Sequence, residues 1–111
     1  MYIFDLDAVR RAMEAMDSKW KEFMRVETMS AGVYRLKVGE TDGQKPHTED
    51  EIYFVTRGRA KFAVGENAQE VVAGSIIYVE AHRDHGFVDI VEDLEALVMF
   101  APAEGSARPS G

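Results

Sequence analysis

The chain has 111 residues, 46% of them hydrophobic, enough for one domain with its own core and too few for two. Its 20 acidic residues against 13 basic ones give a formal charge of -7, which repels polyanions and offers no basic patch, so nucleic acid is not an expected partner. Cysteine is absent, which removes disulfides, thiolate metal sites and cysteine nucleophiles and leaves nitrogen and oxygen as the donors for any metal.

From Asp5, a candidate N-cap, the residues Leu6, Val9, Met13, Met16 and Trp20 recur at spacings of three and four. They predict one apolar helix face, with Arg10, Arg11, Glu14 and Asp17 toward water. Asp5, Asp7 and Arg10 interrupt the apolar stretch that a signal peptide needs, and no run reaches the ~18 apolar residues of a membrane span. An unexported, cytoplasmic protein with no membrane partner is therefore expected.

After Trp20 the period becomes two. Met24, Val26 and Thr28 alternate with Arg25 and Glu27, a turn is expected at Ser30 to Gly32, and a strand over 33–38 follows. Further strand-like runs cover 51–57, 59–64, 69–72, 75–80, 86–91 and 94–101, separated by Gly58, by Gly65-Glu66-Asn67, by Ala73-Gly74 and by an acidic turn at Glu92-Asp93. Seven or eight short strands behind one helix predict an all-β fold, an antiparallel sandwich or barrel. Residues 1–22 are expected as a helical segment packed on the barrel, 23–103 as the barrel, and 104–111, rich in Gly, Ser and Pro, as a flexible tail.

The chemistry-bearing residues are the histidines. His47 precedes Glu51 by four positions, and residues of equal parity share one face of an extended strand, which aims His47, Glu49 and Glu51 the same way. If His85 projects from a facing strand, two imidazoles and one carboxylate converge, a donor set that suits non-haem iron and accommodates Mn, Ni, Co or Zn. The same parity also describes an exposed polar strand end. Tyr53 and Val55 share parity with Glu51, and Phe87 with His85, so a small aromatic pocket or ordinary core packing is expected beside them.

These residues resemble the two motifs of the cupins, G(X)5HXH(X)3 or 4, E(X)6G and G(X)5PXG(X)2H(X)3N. Gly39, His47, Glu51 and Gly58 fall on the first, and Gly74, His85 and, as Asp for Asn, Asp89 on the second. The segment from Pro46 to Tyr53, with Gly58-Arg59-Ala60 and Phe100-Ala101-Pro102, is similar to small single-domain bacterial cupins of unassigned function. The resemblance implies an antiparallel double-stranded β-helix, the cupin jelly-roll barrel. It also implies one divalent metal ion (Fe, Mn, Ni or Zn) on His47, Glu51 and His85. Lys45 stands at the first motif histidine and, as a cation, would oppose a metal if it pointed inward. That leaves Gln44, Glu49 or water as the fourth ligand. Glu80 and His82 replace the usual Pro and Gly, His82 is a further candidate ligand, and Asp89 is a candidate acceptor that orients His85.

Two functions follow from the resemblance: a metal-dependent enzyme acting on a small organic molecule (dioxygenase, isomerase or lyase), or a non-catalytic small-ligand-binding or metal-free structural cupin. A homodimer is expected with either. Ser30, Thr56 and Ser75 have no histidine and acid near them in the sequence to form a nucleophile pair.

Overall fold

The computed structural model describes residues 1–44 and 46–107. Helix α1 spans Leu6–Met16, followed by β1 Trp20–Val26, β2 Met29–Leu36, β3 Asp50–Val64, β4 Asn67–Val72, β5 Ile76–Val79 and β6 His85–Ala101. Every strand pairing is antiparallel, in the order β1-β2-β6-β3-β4, with β5 on β3. No helix among the described residues is long and apolar enough to cross a membrane.

Asp5 caps α1 by accepting the Asp7 N–H at 3.0 Å, and Met13 on the expected apolar face is buried. The helix stops earlier than its stripe predicts. Asp17 turns left-handed at φ 48°, and Ser18 N–H returns to the Met13 carbonyl, so the chain leaves the helix before Trp20, which opens β1 instead. Arg10, expected in water, folds back onto the sheet. Its Nε and Nη2 reach Glu95 Oε1 at 3.0 and 2.7 Å, and Arg35 and Thr56 also donate to that carboxylate.

Three expected breaks are not breaks. The β1–β2 turn falls at Glu27-Thr28, whereas Ser30 to Gly32 are buried strand residues. Gly32 lies under Trp20, whose ring would stand 2.4 Å from an added Cβ. Gly58, expected to separate two strands, bends one: at φ +95° its missing Cβ leaves room for the Asp93 carbonyl, which a Cβ would meet at 2.3 Å. The partner strand likewise runs through Glu92-Asp93, and the pairing shifts register between Val55 and Lys61. Gly and Asp at positive φ act here as bulge formers rather than stops, so β3 and β6 are 15 and 17 residues long and fold the ladder around an aromatic core. Tyr53, Phe62 and Phe87 form its centre, with ring centroids 4.9 to 5.3 Å apart.

Candidate metal centre

Glu51 sits near the start of β3, where it pairs with Phe100, while His85 opens β6 at the other end of the same ladder, opposite Val64. Only the curvature of the two long strands brings them together. His47 lies in the loop before β3, and its carbonyl accepts the His82 N–H at 2.7 Å, which ties this loop to the one before β6. The ligand atoms of His47, Glu51 and His85 lie within 4.8 Å of one another, so the three residues singled out from the sequence converge.

Their polar contacts converge on the Glu51 carboxylate. His85 Nδ1 is 2.7 Å from the Arg83 carbonyl, and a carbonyl only accepts, so Nδ1 carries a hydrogen and the neutral ring offers a lone pair at Nε2. That lone pair faces Glu51 Oε1 at 2.6 Å. Two acceptors cannot share that distance without a proton or a metal ion on it. His47 Nδ1 approaches the same oxygen at 3.2 Å, and Glu51 Oε2 is buried with no hydrogen-bond partner among the described residues. An orphaned carboxylate oxygen beside two imidazole nitrogens is chemically suited to a divalent first-row ion.

With protons in that place, the charges shift in step. Burial pushes the Glu51 carboxyl up, but the bonds to His47 and His85 outweigh it and hold it at about 2. His47 is raised to about 9 by its hydrogen bonds to Glu104 and then Glu51, against the effect of burial. Burial opposes the charged form of His85, yet Glu51 and the Arg83 carbonyl raise it above the ordinary value.

Other candidates do not join. Glu49, expected on the face of Glu51, turns away because β3 begins only at Asp50, and its oxygens accept the N–H groups of Gly105 and Ala107. His82 is exposed at φ 67° and lies outside the converging group. Asp89 is exposed in a bulge with Lys61 3.9 Å away, and the Arg83 carbonyl takes its expected place on His85. Gln44 bonds Asp42 at 3.0 Å and receives the Tyr53 hydroxyl at 3.5 Å. Lys45 lies outside the described residues. Tyr53, Val55 and Phe87 are at most 1% exposed and pack as core, with the Tyr53 hydroxyl 3.1 Å from His85 Nε2. A cavity of about 230 Å³ adjoins the group at His47 and is walled by Trp20, Tyr34, Gln44, Phe100 and Glu104 among others, not by Glu51 or His85. Glu104, unremarked in the sequence, places Oε2 3.2 Å from His47 Nε2.

An antiparallel barrel that gathers two histidines and a glutamate from two strand starts and a loop defines a class of small β-barrel with an interior donor set. The chain belongs to the cupin family: the model described as "Cupin domain" matches residues 32–101. It is 45% identical over 104 residues to an uncharacterized protein of Streptomyces coelicolor, covering 94% of this chain and 99% of that one. Among solved structures, BH2720 from Bacillus halodurans is similar with a TM-score of 0.78 at 19% identity, over 99% of this chain and 85% of that one. An RmlC-like cupin from Shewanella frigidimarina gives a TM-score of 0.69 at 20% identity, over 76% and 75%. At such identities the solved structures share the fold alone.

Proposed function

We propose that this cupin binds one divalent metal ion (Fe, Mn, Ni or Zn) through His47, Glu51 and His85, and uses the adjoining cavity to take up a small organic molecule in the cytoplasm. The observation that carries the reading is the Glu51 carboxylate, with one oxygen facing two imidazole nitrogens and the other buried and, among the described residues, unpartnered. When bound, the ion supplies a Lewis acid that polarises a ligand oxygen. The three side chains leave coordination positions for water or ligand, and Glu49, already engaged by the tail, is not the fourth donor. The cavity of about 230 Å³ is below the ~300–1,000 Å³ of pockets for drug-sized molecules, which favours a compact ligand. Trp20, Tyr34 and Phe100 supply its apolar wall, with Gln44 as a neutral hydrogen-bonding group.

The balanced set of His47 and His85 against Glu51 and Glu104 favours one competing reading, a metal-free barrel closed by ion pairs. Metal analysis of protein purified without added metal, followed by thermal melts with each ion, separates the two. The metal reading expects about one ion per chain, or a rise in Tm on adding one of the four ions. Metal-free protein whose Tm no ion changes would leave the ion-paired barrel.

We further propose that the partner is a second copy of the chain, docked on the outer face of β3, β5 and β6. Ile52 pairs with Tyr78 and Met99, and Phe54 with Ile76 and Leu97, so six apolar side chains form two rows across three strands. Ile76 and Tyr78 are 72% and 63% exposed, Ile52 and Phe54 39% and 37%. Four large apolar side chains exposed side by side on one face form a contiguous patch of the kind that marks an interaction site, whereas singly scattered ones would need no explanation. A patch on a twofold axis meets its own copy. Sedimentation should give about twice 12.4 kDa for the native chain and a monomer for the Ile76→Asp, Tyr78→Asp variant. A native chain that sediments as a monomer at tens of micromolar would refute the interface.

A further inference from the structure

Glu49 is 2% exposed, a carboxylate buried a few residues from the metal centre yet turned away from it. Its Oε1 accepts the Gly105 N–H at 2.9 Å and its Oε2 the Ala107 N–H at 3.1 Å, and the Thr48 hydroxyl donates to Oε2 as well. Ser30, 1% exposed, accepts the Glu104 N–H on Oγ at 2.9 Å, and Arg25 donates to the Glu104 carbonyl at 2.7 Å. Two buried side chains from separate parts of the barrel thus grip the turn that follows the last strand. Residues 104–107, expected as the start of a flexible tail, form a turn because their N–H groups have buried acceptors. Residues 108–111 lie outside the described residues.

The one side chain of this turn that reaches the centre is Glu104, with Oε2 3.2 Å from His47 Nε2. Nδ1 of the same ring faces Glu51. The two carboxylates therefore stand at different nitrogens of one imidazole, and Glu104 is not aimed at the space that the three ligands share. We infer that Glu104 is a positioning residue for His47 and that Glu49 and Ser30 hold it in place as the anchors of a C-terminal strap. By accepting a hydrogen from Nε2, Glu104 fixes the tautomer in which Nδ1 carries the lone pair and fixes the plane in which that lone pair points. A histidine ligand whose remote N–H is held by a carboxylate is both oriented and more basic, and loss of such a partner costs 10–100-fold in metal affinity.

The inference relies on the proposed metal for its consequence, whereas the strap is a property of the chain itself, and two measurements keep these apart. The first is zinc affinity of the full chain by competition with a chelator. Glu104→Ala is expected to weaken zinc binding about 10–100-fold. Glu104→Gln, which keeps an acceptor oxygen, should retain most of the affinity, and Glu49→Gln, which touches no ligand, should lower it. Unchanged affinity in Glu104→Ala would overturn the positioning role. The second is the nitrogen–proton spectrum of the His47 ring without metal. A protected Nε2–H signal is expected in the native chain and its loss in Glu104→Ala. Should the native chain take up no zinc, the metal reading fails, and this spectrum still decides the strap: a signal missing from the native chain, or persisting in Glu104→Ala, overturns it.

Discussion

Replacing both His47 and His85 by alanine is expected to abolish metal uptake and, in metal-free protein, to cost about 3–5 kcal/mol of folding stability. The second effect is the sharper test of the centre's electrostatics. Glu51 is 2% exposed, and burial alone would push its carboxyl up. It is held at about 2 by the two histidines. Removing both strips this buried carboxylate of its two cationic partners among the described residues, and an uncompensated buried charge is far more costly than the loss of the pair's attraction suggests. Adding Glu51→Leu to the double variant should therefore recover much of the stability while metal uptake stays absent, since a leucine needs no partner. Urea denaturation of the native, double and triple variants checks this order. A double variant as stable as the native chain would show that water reaches Glu51 and that the group is not the desolvated cation site proposed above.

Much of this group was legible because the three converging residues sit at elements that announce themselves. His47 and Glu51 flank the start of an apolar alternating run, His85 opens another, and the glycines at fixed distances mark where the chain bends. What stayed hidden depends on where strands begin and how the ladder closes. Glu49 has the parity of Glu51, yet parity governs only residues within a strand, and Asp50 is the first of β3. Gly58 and Asp89 mark positive-φ positions, but sequence alone does not tell a bend from an end, so two long strands read as four short ones. Glu104 follows the last strand in a segment whose composition signals disorder. Its order comes from acceptors on Glu49 and Ser30, distant in sequence, and no local pattern encodes that. Trp20 continued the helical spacing by coincidence, and the left-handed Asp17 ended the helix first.

The second large effect is expected at Glu95, which lies in an apolar strand run and gives no sequence sign of its role. Its side chain is 3% exposed and paired with Arg10 and Arg35, themselves 17% and 23% exposed, while Thr56 Oγ1 donates at 2.7 Å. Arg10 belongs to α1, so this cluster clamps the helix to the sheet. Burial raises the Glu95 carboxyl, but the hydrogen bonds from Arg10, Thr56 and Arg35 prevail and hold it at about 2. The gap from the ordinary 4.5 corresponds to roughly 3 kcal/mol, in line with the cost of breaking a buried ion pair by removing one partner. Glu95→Gln keeps the shape and removes the charge, and should lose about that much at pH 7. The sign of the pH dependence follows from a folded value below the unfolded one. The stabilisation is complete above about 4.5 and is lost as pH falls toward 2, because protonation then neutralises the native carboxylate as the substitution does. Urea midpoints of the native chain and Glu95→Gln should converge on acidification, and faster proteolysis within α1 of the variant at pH 7 would locate the loss at the clamp. A difference that stays constant from pH 7 to pH 3 would mean that Glu95 contributes packing rather than charge, and that Arg10 does not hold the helix.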